Sequence, residues 1–234
     1  MPTTCWSPIR GRAMRVTKLN ACGQWVAGPK VKVESDGFVS VQLSPQYEDG
    51  EQTRKKNANG EICVSDPGKP ALAQIDVEIA FCGVDPDIYN IITGNPVTVD
   101  RAGNASGMRV REKVESYWAL EVWTDVSGAA CDLDGDVPYG YLLLPYFFGG
   151  RIGDMTVEEA AMDLTLSSST KRGSLWGVGP YAVELNDDTD PEDPGVAGPL
   201  LEAIGPKDHM HLGVTLVPPP AAVCGATALV PITP

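Results

Sequence analysis

The chain has 234 residues, a formal net charge of −13, 43% hydrophobic residues, 25 glycines and 20 prolines. That length buries a proper core as one large β domain or two small ones, and the glycine and proline content favours short elements joined by turns. The negative balance excludes tight nucleic-acid binding, which needs clustered Lys and Arg, and no apolar run approaches the roughly 20 residues of a membrane helix.

Met1-Pro-Thr-Thr-Cys-Trp6 lacks the apolar core and cleavage site of a signal peptide, so the expectation is a soluble, non-secreted chain. Residues 1–29 read as a basic N-terminal arm with little periodicity; Arg10, Arg12, Arg15, Lys18, Lys30 and Lys32 fall within residues 1–33, which hold no acid. Val31 and Val33, then Phe38, Val39, Val41 and Leu43, predict a hairpin turning at Ser35-Asp36-Gly37. Residues 44–70 read as a long polar loop, of the length that usually does something or is disordered. From Gln74 to Phe81 polar and apolar residues alternate, the period of a half-buried strand. A short helix follows at about 85–93. Asp85 caps it, Pro86 takes the first helical position, Ile88, Ile91 and Ile92 form its stripe, and Gly94 closes it.

Strands are expected at 96–100, 107–114, 117–125 and 139–148, the last almost continuously apolar, with Pro145 off any central ladder position. Residues 156–168 begin like a capped helix and end in alternation, so the second half reads as strand. Turn and then strand are read over 174–185. An acidic Pro- and Gly-rich loop follows at 186–208, then a final strand at 211–217 and a Pro-stiffened C-terminal arm at 218–234. The central unit is therefore 30–217, a mainly β sandwich or barrel with one short flanking helix, long loops and extended terminal arms.

Signatures of chemistry are sparse. Asp208-His-Met-His211 sets two histidines and an acid together, but no third ligand is fixed, which favours surface or interface histidines over a metal. Asp132-Leu-Asp-Gly-Asp136 has the letters of a calcium loop, but its glycine is at the fourth place and the twelfth is Leu143; an Asp-Gly turn explains it. No nucleophile elbow or phosphate-binding glycine loop is present. Trp118 and Trp123 lie on opposite faces of one strand, so at least one belongs to a core. The six cysteines, Cys5, Cys22, Cys63, Cys82, Cys131 and Cys224, read as free thiols packed as small apolar groups, with one or two long-range disulfides left open.

Several stretches taken in order resemble a known family. They are residues 74–94 (Val77-Glu-Ile-Ala-Phe-Cys-Gly-Val-Asp-Pro86 with Ile92-Thr-Gly94), Ala119-Leu-Glu-Val-Trp-Thr124, Tyr139-Gly-Tyr-Leu-Leu-Leu-Pro145 and Gly149-Gly-Arg-Ile-Gly-Asp154. Gly173-Ser-Leu-Trp-Gly-Val-Gly-Pro-Tyr181, Asn57-Ala-Asn-Gly-Glu-Ile-Cys63 and Pro218-Pro-Pro-Ala-Ala-Val-Cys-Gly225 complete the set. Together, over residues 23–225, they resemble the major tail proteins (tail-tube proteins) of long-tailed, non-contractile phages of actinobacteria. The acidic loop and the basic start have no match in that pattern.

The resemblance implies a tail-tube-type β-sandwich without enzymatic activity or obligatory cofactor. It implies a virion protein, assembled in the host cytoplasm into hexameric rings. Those rings would stack around a tape-measure protein between terminator and initiator proteins, away from any membrane, as a conduit that DNA crosses without specific binding. Acidic walls suit a conduit because they repel phosphates. Asp76, Glu78, Glu121 and Asp163 are the lumen-lining candidates. Loops and termini commonly reach neighbours in such assemblies. Arg10, Arg12 and Arg15, or Arg54, Lys55 and Lys56, are therefore expected to meet Asp187, Asp188, Asp190, Glu192 and Asp193 of another copy. The competing readings are a non-catalytic extracellular carbohydrate- or calcium-binding module and, behind it, a glycosidase resting only on plentiful carboxylates.

Overall fold

A computed structural model describes residues 7–83, 85–112, 114–127, 137–153, 155, 164–186 and 195–232. In chain order the strands begin with β1 (Ser7–Lys18), β2 (Gly28–Ser35), β3 (Phe38–Glu48), β4 (Thr53–Lys56), β5 (Ile62–Asp66) and β6 (Ala71–Phe81). The helix α1 (Pro86–Thr93) comes next, then β7 (Val97–Val99), β8 (Ala105–Met108), β9 (Tyr117–Ser127), β10 (Tyr139–Phe148) and β11 (Arg151–Ile152). The chain continues through β12 (Leu164–Ser169), β13 (Glu184–Asn186), β14 (Val196–Gly198), β15 (His211–Thr215) and β16 (Val223–Leu229). The protein is mainly β with one short helix among the described residues, as the sequence predicts.

A six-stranded antiparallel sheet runs in the order β15-β10-β9-β1-β2-β16, and a four-stranded sheet in the order β11-β12-β6-β3. The alternation of β6 turns Ile75, Val77, Ile79 and Phe81 inward. They meet Met14, Val16, Trp118, Leu120 and Leu144 from the large sheet, with the α1 isoleucines in the same cluster. Trp118 stacks on Phe147 with ring centroids 4.0 Å apart and donates its indole N–H to the Gly149 carbonyl at 2.9 Å. The opposite face of the large sheet carries a second core. There Ala119, Trp123, Tyr141 and Leu143 are covered by Trp176, Tyr181, Val183, Leu200 and Ile204 from the 174–204 segment. Burial on both faces explains why 139–148 reads as a continuous apolar run. It also makes both Trp118 and Trp123 core residues.

The helix forms where its punctuation predicts. Asp85 accepts the Asp87 N–H at 2.9 Å, Pro86 opens the first turn, and Gly94 closes it at φ 75°. A Cβ at Gly94 would also stand 2.8 Å from the Glu115 carbonyl oxygen. The two acids of the first turn do a second job: Asp85 accepts the Gly225 N–H at 3.0 Å and Asp87 the Ala226 N–H at 2.8 Å, pinning β16 to the helix. Asp85→Ala removes the cap and one of these pins. The expected loss is about 1–2 kcal/mol, a fall in melting temperature of about 2–8 °C for a chain of this size, read by circular dichroism.

Several expectations are corrected. Residues 7–18 are no arm: β1 is an interior strand of the large sheet, paired with β2 and β9. The 28–48 region is no hairpin, because β2 pairs with β1 and β16 while β3 pairs with β6. Ser35-Asp36-Gly37 is the corner by which the chain leaves one sheet for the other, with the Gly37 N–H on Ser35 Oγ at 3.1 Å. Nor is 211–217 the last strand, since β16 lies in the stretch read as a C-terminal arm and pairs with β2. Pro145 does sit off the ladder. The β15 pairing stops at Leu143, and the β9 register shifts between Leu144 and Phe147.

Candidate functional site

Of the charged residues singled out by sequence, two come together in the interior. Arg15 and Glu121, opposite each other on β1 and β9, are 5% and 1% exposed. Arg15 Nε and Nη2 each donate to a Glu121 carboxylate oxygen at 2.6 Å, a bidentate pair. Tyr141 Oη donates to the same carboxylate at 2.7 Å, and Glu34 stands 3.7 Å from Arg15 Nη1. The guanidinium lies 3.4 Å from the Tyr181 ring centroid and 5.0 Å from that of Trp123. Burial works to lower the Arg15 pKa, but the Glu121 charge and hydrogen bond outweigh it and hold the guanidinium protonated. Burial, then the Glu121 charge, pushes the Tyr141 phenol well up.

Glu121 is therefore not a wall residue and Arg15 not an inter-subunit contact. The sequence concealed this because a charged residue on an alternating strand reads as solvent-facing. Arg12 is exposed and pairs within the chain to Asp125 at 2.5 Å, while Arg10 is exposed.

The outer face of the small sheet is a polar wall. Glu78 is exposed and Asp76 half-buried. Glu78 lies opposite Gln42 and Ser167, Asp76 opposite Ser44 and Ser169, and Ala80 opposite Ser40 and Thr165. Asp76 accepts from Ser169 Oγ at 2.6 Å and Gln74 Nε2 at 2.8 Å, which fixes its carboxylate. Hydroxyls, amides and two carboxylates, with Arg151 at the β11 edge opposite Ser167, give a wall of short side chains and net negative charge. With two carboxylates against the one guanidinium, such a surface disfavours phosphate.

The predicted 44–70 loop is instead a β-arm. The β3–β6 ladder continues to Glu48↔Ala71 and a second ribbon, β4–β5, forms beyond it. Every residue of β4 and β5 is exposed, including Arg54, Lys55 and Lys56. Tyr47 (68% exposed), Ile62 (45%) and Val64 (45%) are bare as well. The two ribbons meet at a neck where backbones cross. A Cβ on Gly50 would fall 2.4 Å from the Lys69 nitrogen, and one on Gly68, at φ 71°, 2.6 Å from the Gly50 carbonyl carbon. At the tip Asn57 Oδ1 accepts the Asn59 and Glu61 N–H groups at 3.0 and 2.8 Å, so the turn is built rather than slack. A two-stranded ribbon whose apolar residues, Ile62 and Val64, stay uncovered is marginal in water.

Asp163, Asp187, Asp188, Asp190, Glu192, Asp193, the 132–136 turn, Cys5 and Cys131 lie outside the described residues. No cluster of metal-ligating side chains occurs among the described residues. His209 is buried rather than a surface histidine. The four described cysteines, Cys22, Cys63, Cys82 and Cys224, are free but exposed, not packed. A groove of about 370 Å³ beside β7 and β8 is lined by Pro96, Val97, Thr98, Val99, Arg109 and Arg111, two guanidiniums and one hydroxyl. No known protein-family model matches the chain, and no curated protein matches it.

Proposed function

We propose that the chain is a structural virion protein, the subunit of a phage tail tube built from stacked hexameric rings. The observation that carries this reading is the β-arm: an ordered ribbon with every β4 and β5 residue exposed and no core of its own, a shape that gains stability only against other protein. The acidic, short-chained wall of the small sheet supports the second half of the reading. Asp76 and Glu78 face a lumen through which DNA passes without binding. The resemblance of the ordered stretches from residue 23 to 225 to tail-tube proteins supplies the geometry of rings around a tape measure. It also supplies the absence of catalysis and cofactor, and residence in the virion tail.

Electron microscopy of the purified protein over a range of concentrations, with its size-exclusion mass, tests this reading. Hexameric rings or hollow stacked tubes are the expected result. A strictly monomeric species, even after addition of an initiator complex and tape measure, overturns it.

A further inference from the structure

We infer that His209 is the pin of an acid-releasable clasp that fastens the two sheets together where the β-arm leaves the body. His209 is 4% exposed and lies just before β15, at the edge of the six-stranded sheet. Both its ring nitrogens are engaged. Nδ1 is 2.7 Å from Thr170 Oγ1, and Nε2 accepts from Arg172 Nε at 3.4 Å. An acceptor at Nε2 places the one proton of the neutral ring on Nδ1, so Nδ1–H donates to Thr170.

Thr170 and Arg172 carry the connection into the other sheet. Thr170 Oγ1 accepts the Ile75 N–H at 2.8 Å, and the Thr170 N–H donates to the Ile75 carbonyl at 2.9 Å. Thr170 also bridges to Phe147 of β10. Arg172 Nη2 donates to the Leu72 carbonyl. Leu72 and Ile75 belong to β6 at the point where it runs out into the arm. One imidazole thus holds the end of β15 and the root of the arm through two side chains.

A second proton undoes the arrangement. It puts an N–H on Nε2 directly opposite the Arg172 N–H, so two donors and two cations face each other across a part-buried contact. Arg172 opposes the imidazolium. Asp208 favours it, although that carboxylate is engaged by the Gly205 N–H at 2.8 Å. Burial first, and then Arg172, hold the His209 pKa below its ordinary value, against Asp208. An unfolded histidine takes its proton near pH 6.5. The clasp's stabilisation is therefore complete above that pH and is lost as pH falls from there through the lower folded value.

The chain has only two histidines, so proton NMR resolves both, and His211→Gln assigns them. His209 is expected to titrate below 6.5. In Arg172→Gln its pKa should rise, about tenfold in proton affinity for each unit. Hydrogen exchange supplies the structural readout. Corrected for intrinsic rate, protection of the Ile75 and Thr170 amides should fall about tenfold or more between pH 7 and pH 5, while the Val77 and Ile79 amides change little. His209→Gln, which cannot take the second proton, should abolish that difference. The same fall in His209→Gln, or a His209 pKa that Arg172→Gln leaves unmoved, overturns the proposal. If His209→Gln does not fold, the Arg172→Gln titration and its exchange profile decide alone. The clasp operates in the isolated chain, so its failure is separable from that of the tail-tube reading.

Discussion

Replacing Arg15 with Met should cost about 3–5 kcal/mol, the penalty for stranding one partner of a buried ion pair. Glu121 would keep only the Tyr141 hydroxyl at 2.7 Å and stay 1% exposed with no cation against it. The cover over the second core suffers too, because the Arg15 guanidinium at 3.4 Å from the Tyr181 ring is one of the ties holding that segment down. Urea unfolding of the single variant against Arg15→Met/Glu121→Met separates the two effects. The double variant should recover most of the loss, since it removes the stranded charge but not the missing stacking on Tyr181. A single variant as stable as the parent would mean that water reaches Glu121.

Reversing the arm tip, Arg54→Glu with Lys55→Glu and Lys56→Glu, should abolish assembly while leaving the fold alone. All three side chains are exposed, and substitutions at such positions shift stability by about 0.5 kcal/mol or less. With three such changes the melting temperature is therefore expected to move by about 6 °C at most while rings or tubes disappear from micrographs. Carrying Asp187, Asp188 and Asp190 to Lys in the same chain should restore them, because the charge pattern is then mirrored. Tubes from the triple reversal alone would remove the tip from the contact. Tubes lost and not restored would leave the tip in the contact and take the acidic loop out of it.

What was legible in the sequence is what local physics dictates. The β6 alternation, the Asp85 cap, Pro86 and Gly94 each act over a few residues, and each reads out as expected. Pairing does not read out that way. The two strands around Ser35-Asp36-Gly37 have hairpin letters, yet they belong to different sheets, because alternation specifies a face and not a neighbour. The N-terminal stretch looked like an arm because Arg10, Arg12 and Arg15 break its apolar pattern. Met14 and Val16, both 0% exposed, carry the inward face, and the partner that makes Arg15 tolerable inside is 106 positions away. The wall candidates divide for the same reason. Asp76 and Glu78 lie on a sheet with one free face, whereas Glu121 lies on a sheet buried on both. His209 carried no local signal, since its partners Thr170 and Arg172 are 39 and 37 residues upstream.

The pairing of β1 with β9, and of β2 with β16, also sets a timetable for a chain made from its N-terminus onward. The arm at 38–81 is a single local hairpin that can close as soon as residue 81 has emerged. The strand that carries Arg15 must wait for Glu121. The edge beside β2 must wait for Thr227, whose hydroxyl donates to the Lys32 carbonyl across 195 positions. Non-local pairings of this kind close slowly. A nascent chain therefore shows its outward-reaching ribbon long before it owns a body, and premature meetings between ribbons on one messenger are the hazard this order of events creates.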